Sequence, residues 1–158
     1  MDADPFDQVS LFQALNPTQR NLLRPLVAAC EFPVGEKLFE QGDPAEYLYL
    51  VASGEVLIHY KPDDGPVIML SRVRQGGVVG WSAALGNHVY TSEAECATDA
   101  VLLRLRGEDL RLICQMYPDL GACILELLAD MIAERLRSPH EQIIELLKQG
   151  MQSGITNP

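Results

Sequence analysis

Residues 79–97, VGWSAALGNHVYTSEAECA, have the outline of a small-ligand site. Glycines and short polar side chains stand between two apolar segments, a pattern in which backbone N–H groups and hydroxyls can bind a ligand. The stretch contains no arginine and no lysine, and its first acidic residue is Glu93. We therefore expect a charged ligand here to meet no basic side chain of the stretch that could neutralise it.

The elements that must position this stretch are predicted from hydrophobic periodicity. Residues 1–31 carry a helical pattern, residues 32–106 alternate with period two between glycine turns, and residues 107–151 are helical again. Residues 79–97 themselves predict a strand entering a glycine turn, one short helical turn and a strand leaving. Short strands with turns between them, uninterrupted by a full-length helix, are typical of a β-sandwich or barrel.

The strand candidates of the middle zone share alternating or nearly continuous apolar character and end at turn residues. They are residues 37–40, 47–52, 55–60, 67–73 and 101–106. The segment KPDDG at 61–65 predicts a hairpin loop between the third and fourth of them.

Helix boundaries are marked by capping residues and prolines. Asn16 before Pro17, with Gln19 following, predicts an N-cap and its capping partner, and Pro25 should kink or break that helix. Pro118 restarts a helix after Tyr117. The segment SPHE at 138–141 reads as a capping box, so we expect the long helix to break near residue 138 and a short helix to follow over 139–149.

The composition excludes several classes of function. A formal net charge of −10, from 12 basic and 22 acidic residues, argues against nucleic-acid binding, which depends on phosphate neutralisation. No apolar run approaches the roughly 18 residues of a membrane span. The acidic start MDADPFDQ is unlike a signal peptide, so a cytoplasmic location is expected. No nucleophile motif, P-loop or carboxylate pair suggests an enzyme.

The cysteines and histidines have no spacing that suggests a metal or a disulfide framework. The four cysteines, Cys30, Cys96, Cys114 and Cys123, include no close-spaced pair and are expected to be reduced structural thiols. The three histidines lie far apart in sequence. We therefore expect neither a metal nor another cofactor.

The stretch 38–54, LFEQGDPAEYLYLVASG, resembles the first signature of the cyclic nucleotide-binding domain family, which includes the catabolite activator protein and the regulatory subunit of protein kinase A. Gly42 and Gly54 would supply turns on either side of a buried strand. The resemblance covers nearly all of residues 10–150. It implies a mainly β fold with flanking helices: a small antiparallel β-barrel or jelly roll, with an N-terminal helix and a C-terminal hinged helix pair.

The resemblance also implies a site in residues 79–97. In the family, a glycine and a glutamate open a phosphate-binding segment, a short helix follows, and an arginine with a small polar residue comes later. Here Trp81 stands at the glutamate position, and counting from Gly80 places Thr91 and Ser92 at the arginine and small polar positions. The ligand-binding residues that the resemblance implies are Gly80, Trp81, Ser82, Ala83, Thr91 and Ser92.

Three interpretations of this pocket stay open. Trp81, Tyr90 and His88 could form an aromatic pocket for a less charged ligand. The pocket could instead be filled by its own side chains, with Trp81 over the barrel core. A cyclic nucleotide could also bind weakly through amides and hydroxyls alone, because the missing arginine removes a charged hydrogen bond of about 1.5–3 kcal/mol.

The functional expectation is a standalone, non-catalytic regulatory module of a bacterial branch with a glycine–tryptophan–serine segment, binding cAMP and cGMP weakly or not at all. Its alternatives are a degenerate module for protein interaction or dimerisation, or the sensor fragment of a transcriptional regulator. The expected partners are a cyclic nucleotide or other small molecule, a protein, and a second copy of the chain in a homodimer. The chain as given is not expected to bind DNA or a membrane. The predicted organisation is an N-terminal segment (1–15), the domain (16–138), and a short lid or dimer helix with tail (139–158).

Overall fold

The computed structural model describes residues 4–61, 65–66, 68–86, 88–131 and 147. Within them the chain forms two four-stranded antiparallel sheets with helices against the outer face of the first. The strands of the first sheet lie in the order β1-β8-β3-β6, and those of the second in the order β2-β7-β4-β5. The predicted mainly β fold of antiparallel strands is confirmed.

The first sheet is built around its two longest strands. These are β3 and β8, which pair through most of their length, while β1 and β6 lie at the edges. Its members are β1 (Val27–Phe32), β3 (Tyr47–Ser53), β6 (Val78–Val79) and β8 (Ala100–Arg106).

The second sheet contains the hairpin expected from the KPDDG segment. Strands β4 and β5 pair antiparallel on either side of it, and β7 joins β4 to β2. Its members are β2 (Lys37–Phe39), β4 (Val56–Tyr60), β5 (Ile68–Val73) and β7 (Glu93–Cys96). All the predicted strand segments are confirmed within one or two residues.

The helices precede, interrupt and follow the strands. The predicted capping box is confirmed, since the Asn16 side chain accepts from the Gln19 N–H while the Gln19 side chain accepts from the Asn16 N–H. The helices are α1 (Pro5–Gln8), α2 (Ser10–Gln13), α3 (Pro17–Leu23), a 3₁₀ turn (Arg24–Leu26), α4 (Ser82–Leu85), α5 (Gly107–Met116) and α6, which contains residues 118–131.

The helical prediction for residues 1–31 is wrong at its end. The helix stops at Leu23 and a 3₁₀ turn contains Pro25, as expected for a helix-breaking residue, but β1 then begins at Val27. This segment pairs with β8 over its full length, and tertiary pairing outweighs the weak helical periodicity of Leu22, Leu23, Leu26 and Val27.

Two hydrophobic cores lie on opposite faces of the first sheet. The helical core joins Phe6, Phe12 and Leu110 of the helices to Leu103 and Leu105 of β8. The barrel core lies between the two sheets and contains aromatic side chains near one end. It includes Phe39, Tyr49, Val51, Ile58, Val79, Tyr90, Ala94, Cys96 and Leu102.

The described residues test only part of the C-terminal predictions. The helix restart at Pro118 is confirmed, whereas the break near residue 138 and the short helix over 139–149 lie outside the described residues. All four cysteines are free thiols, as predicted. Among the residues that the structure describes, no helix is long and apolar enough to cross a membrane.

Candidate functional site

The centre of residues 79–97 folds as the sequence predicts: strand, glycine turn, short helix, strand. Gly80 directly follows β6 and has a φ of +79°, a conformation that favours glycine. A side chain at this position would be tightly packed, because a Cβ on Gly80 would lie 3.0 Å from the Tyr47 carbonyl oxygen and 3.3 Å from Tyr90 Cε1. The backbone of Gly80 therefore packs directly against a tyrosine ring.

Tyr90 is the side chain that enters the barrel beside Gly80. It is 4% exposed and its ring stacks on Phe39, with ring centroids 3.7 Å apart. Its hydroxyl donates to the Tyr47 carbonyl oxygen at 2.6 Å and accepts from the Tyr47 N–H at 3.0 Å. Burial raises the pKa of this phenol above its usual 10.0, so it stays protonated and keeps both hydrogen bonds at neutral pH.

The backbone on either side of Tyr90 is held by the turn before β3. The Gly42 N–H donates to the Tyr90 carbonyl, and the Tyr90 N–H donates to the Asp43 carbonyl, each at 2.9 Å. Pro44 and Val89 add an antiparallel bridge. Tyr90 is thus fixed through its main chain as well as its side chain, and it forms part of the folded core.

The six residues predicted to bind ligand differ in exposure. Ser82 and Ala83 are buried in α4, close to Gly80 in the chain. Thr91 is exposed and Ser92 is half-buried in the bend before β7. The ligand contacts of all six stay predictions, and the structure adds that the inward-facing residue is Tyr90, one position before Thr91.

A period-two pattern in the sequence contains part of the signal for this register. Tyr90, Ala94 and Cys96 are apolar and buried, while the intervening Glu93 and Glu95 are polar and half-buried. Continuing this alternation back from β7 reaches Tyr90, but it passes through the bend at residues 91–92, so the strand pattern alone does not fix which side chain points inward. Counting forward from Gly80 ignores this alternation and leads to Thr91.

The structure does not assemble the aromatic pocket of Trp81, Tyr90 and His88. Trp81 packs against the helical core on the far face of the first sheet, whereas Tyr90 belongs to the barrel core. His88 is exposed. Trp81, the N-cap residue of α4, is not among the side chains that pack against the barrel core.

One arginine contacts α4, but at its carboxyl end. Arg111 of α5 donates from Nη1 to the Ala83 carbonyl oxygen at 2.6 Å. Gly107, at the start of α5, lies against the same peptide, and its N–H donates to the Glu46 carbonyl at 2.9 Å. Arg111 thus anchors α4 to α5.

A cluster of titratable groups lies on the outer face of the second sheet. One ring nitrogen of His59 and one carboxylate oxygen each of Glu93 and Glu95 lie within 4.8 Å of one another. The spacing of the histidines in the sequence did not predict this proximity. Lys37 Nζ already lies 3.0 Å from Glu93 Oε1 and 3.3 Å from Glu40 Oε1. The cluster is therefore an ion-pair network.

Comparison with known proteins gives one family. The model of the "Cyclic nucleotide-binding domain" matches residues 29–117. The chain is 24% identical over 140 residues to the CRP-like cAMP-activated global transcriptional regulator of Mycobacterium tuberculosis, covering 89% of this chain and 61% of the relative. It is 30% identical over 127 residues to the cyclic AMP receptor protein of Thermus thermophilus, covering 80% and 57% respectively.

Solved structures give the same fold. A cyclic nucleotide-binding domain from Methylobacillus flagellatus superposes with a TM-score of 0.79 at 17% identity, over 89% of this chain and 83% of that one. The chain thus spans about three-fifths of the two curated regulators but most of an isolated domain. From the fold and the family match together, the chain belongs to the cyclic nucleotide-binding domain family.

Proposed function

We propose that this domain is a non-catalytic regulatory module whose nucleotide site is filled by its own tyrosine and which binds cAMP and cGMP weakly. The observation that carries the proposal is Tyr90, buried beside Gly80, stacked on Phe39 and bonded twice to Tyr47. The regulatory role is inferred from the relatives, whose names describe a cAMP-activated transcriptional regulator and a cyclic AMP receptor protein.

Two energetic terms oppose a cyclic phosphate beside Gly80. The first is the absence of lysine and arginine from residues 79–97, which forgoes about 1.5–3 kcal/mol of charge-assisted hydrogen bonding. The second is the cost of moving Tyr90, which breaks two hydrogen bonds of about 1 kcal/mol each and its stacking contact. The first term alone corresponds to roughly 10- to 150-fold in affinity.

The experiment compares two neighbouring arginine substitutions. Isothermal titration with cAMP and cGMP is carried out on the wild type, Tyr90→Arg and Thr91→Arg, each checked for folding by circular dichroism. We expect Tyr90→Arg to bind cAMP at least about 10-fold more tightly than the wild type, since it removes the ring and supplies the charge. Thr91→Arg should bind like the wild type because position 91 is exposed.

Two results would contradict the proposal. One is a wild type that already binds cAMP as tightly as Tyr90→Arg. The other is tighter binding by Thr91→Arg alone, which would place position 91 in the nucleotide site. If Tyr90→Arg fails to fold, the wild type and Thr91→Arg still decide, because micromolar cAMP binding by the wild type is incompatible with a filled site.

Homodimer formation and the choice of protein partner stay predictions. The apolar positions Ile143, Leu147 and Met151 suit either a dimer contact or a lid that closes onto the barrel of the same chain. Light scattering after size exclusion measures the assembly state directly.

A further inference from the structure

Arg104 is a cation on the inner face of the first sheet, outside the stretch in which the sequence suggested a site. Alternation along β8 places Ala100 and Leu102 in the barrel core and Leu103 and Leu105 in the helical core. Arg104 continues the alternation of Ala100 and Leu102, so it lies on the face of the sheet that carries the barrel core. Its guanidinium carbon lies 4.5 Å from the centroid of the Tyr47 ring, and Tyr47 itself packs against the barrel core.

Among the described residues, Arg104 has no ion pair and no hydrogen-bond acceptor. Arg72 of β5 and Arg74, which follows that strand, differ from Arg104, since both pair with Glu55. Arg104 is half-buried, and a cation that loses part of its hydration without gaining a carboxylate carries an energetic cost. The cation–π contact with Tyr47, about 0.5–2 kcal/mol, offsets part of that cost and leaves the guanidinium donors unused.

Tyr49, a neighbour of Arg104, adds a hydrogen-bond donor. Tyr49 lies directly opposite Arg104 in the β3–β8 register, on the same inner face. Burial, outweighing the opposite effect of the Arg104 charge, raises the pKa of Tyr49 to about 12. Tyr49 therefore keeps its O–H at neutral pH, and among the described residues this hydroxyl has no hydrogen-bond partner. A cation and a neutral donor side by side suit an anionic group.

Tyr47 connects this location to the site described above. The Arg104 guanidinium lies over its ring, while its backbone N–H and carbonyl oxygen form hydrogen bonds with the Tyr90 hydroxyl. Its carbonyl oxygen also approaches Gly80. Arg104 thus contacts Tyr47, and Tyr47 in turn contacts Tyr90, the residue that fills the site.

We propose that Arg104, with Tyr49 and Tyr47, binds the phosphate or carboxylate group of a small anionic molecule at the barrel end. This inference rests on the proposed function only in taking the module to bind a small molecule. It replaces the missing arginine of residues 79–97 with one from β8. The recognised chemistry is the anionic group, which an inorganic or an organic molecule can carry.

The test uses anions of both kinds and a matched charge variant. Thermal unfolding of the full chain is followed with inorganic phosphate, benzoate, 5′-AMP or the neutral nucleoside adenosine, at constant ionic strength. The variants are Arg104→Gln and Arg74→Gln, the latter removing the same charge from a side chain that is 74% exposed. In parallel, the arginine Nε–H resonances of ¹⁵N-labelled protein are titrated with each compound.

We expect at least one anion to raise the melting temperature of the wild type and of Arg74→Gln, with an affinity about 10- to 100-fold lower in Arg104→Gln. The Arg104 Nε–H resonance should shift with that anion and not with adenosine. Equal stabilisation of all three proteins would assign the effect to general ion binding and overturn the proposal. The proposal would also be overturned if no anion changed the melting temperature or shifted the Arg104 Nε–H resonance.

Failure of this inference is distinguishable from failure of the proposed function. Tight cAMP binding that survives Arg104→Gln would refute the filled nucleotide site and leave no role for Arg104. Weak cAMP binding together with an Arg104-independent anion response would refute the Arg104 site alone.

Discussion

Removing the Tyr90 hydroxyl should destabilise the fold measurably while leaving its ring in place. Tyr90→Phe loses the hydrogen bond donated to the Tyr47 carbonyl and the one accepted from the Tyr47 N–H, at 2.6 and 3.0 Å. At about 0.5–1.5 kcal/mol net for each hydrogen bond, the free energy of unfolding should fall by about 1–3 kcal/mol. The stacking on Phe39 is retained, so no cavity term is added.

Urea denaturation followed by far-UV circular dichroism measures this change. The m value should stay constant because the substitution exposes no additional surface. For a chain of this length, a loss of about 2 kcal/mol lowers the melting temperature by roughly 4–8 °C. A second readout is amide exchange at Tyr47, whose N–H loses its acceptor and should exchange faster.

Tyr49→Phe is the matched control. Tyr49 is 5% exposed and lies in the same aromatic cluster, but among the described residues its hydroxyl makes no hydrogen bond. Tyr49→Phe should therefore change the free energy of unfolding by less than about 0.5 kcal/mol. Equal losses in the two variants would refute the reasoning, because the effect would then come from removing any phenol oxygen.

Two further predictions concern pH and packing. The pKa of Tyr49 is raised to about 12, mainly by burial, so the folded state holds this proton more tightly than the unfolded state does. The contribution of Tyr49 to stability is therefore constant below about pH 10 and decreases as the pH rises from 10 toward 12. Urea denaturation across that range should show a shallower fall in stability for Tyr49→Phe than for the wild type. Gly107→Ala should lower the melting temperature more than Gly86→Ala, because a Cβ on Gly107 would lie 2.1 Å from the Ala83 carbonyl oxygen. Gly86, with φ of +80°, also strains an alanine, but its Cβ would meet nothing closer than 3.7 Å. Similar losses in the two variants would mean that α4 moves aside readily.

The strands were predictable from the sequence because their alternation and turn residues agree with the tertiary structure. The segment 47–52 is nearly all apolar, which suits a central strand with a core on each face, and β3 has that position. The Asn16 cap was predictable because its hydrogen bonds are local. β1 was missed because its pairing with β8 joins residues far apart in sequence.

The candidate site was predictable in outline but not in its contents. The glycine turn and short helix follow from local sequence, whereas the identity of the inward side chain depends on how the bend at residues 91–92 joins β7. Arg104 was overlooked because it lies in a strand outside residues 79–97. Its inward direction follows from the alternation of β8, and its proximity to Tyr47 requires the β3–β8 register.

The first sheet supplies one face to each core, and this arrangement couples the two sides of the molecule. Leu102 and Leu103 are consecutive residues with side chains in different cores. Any repacking of the helices would therefore be transmitted to the strand backbone that carries Tyr47, Tyr49 and Arg104 on its opposite face.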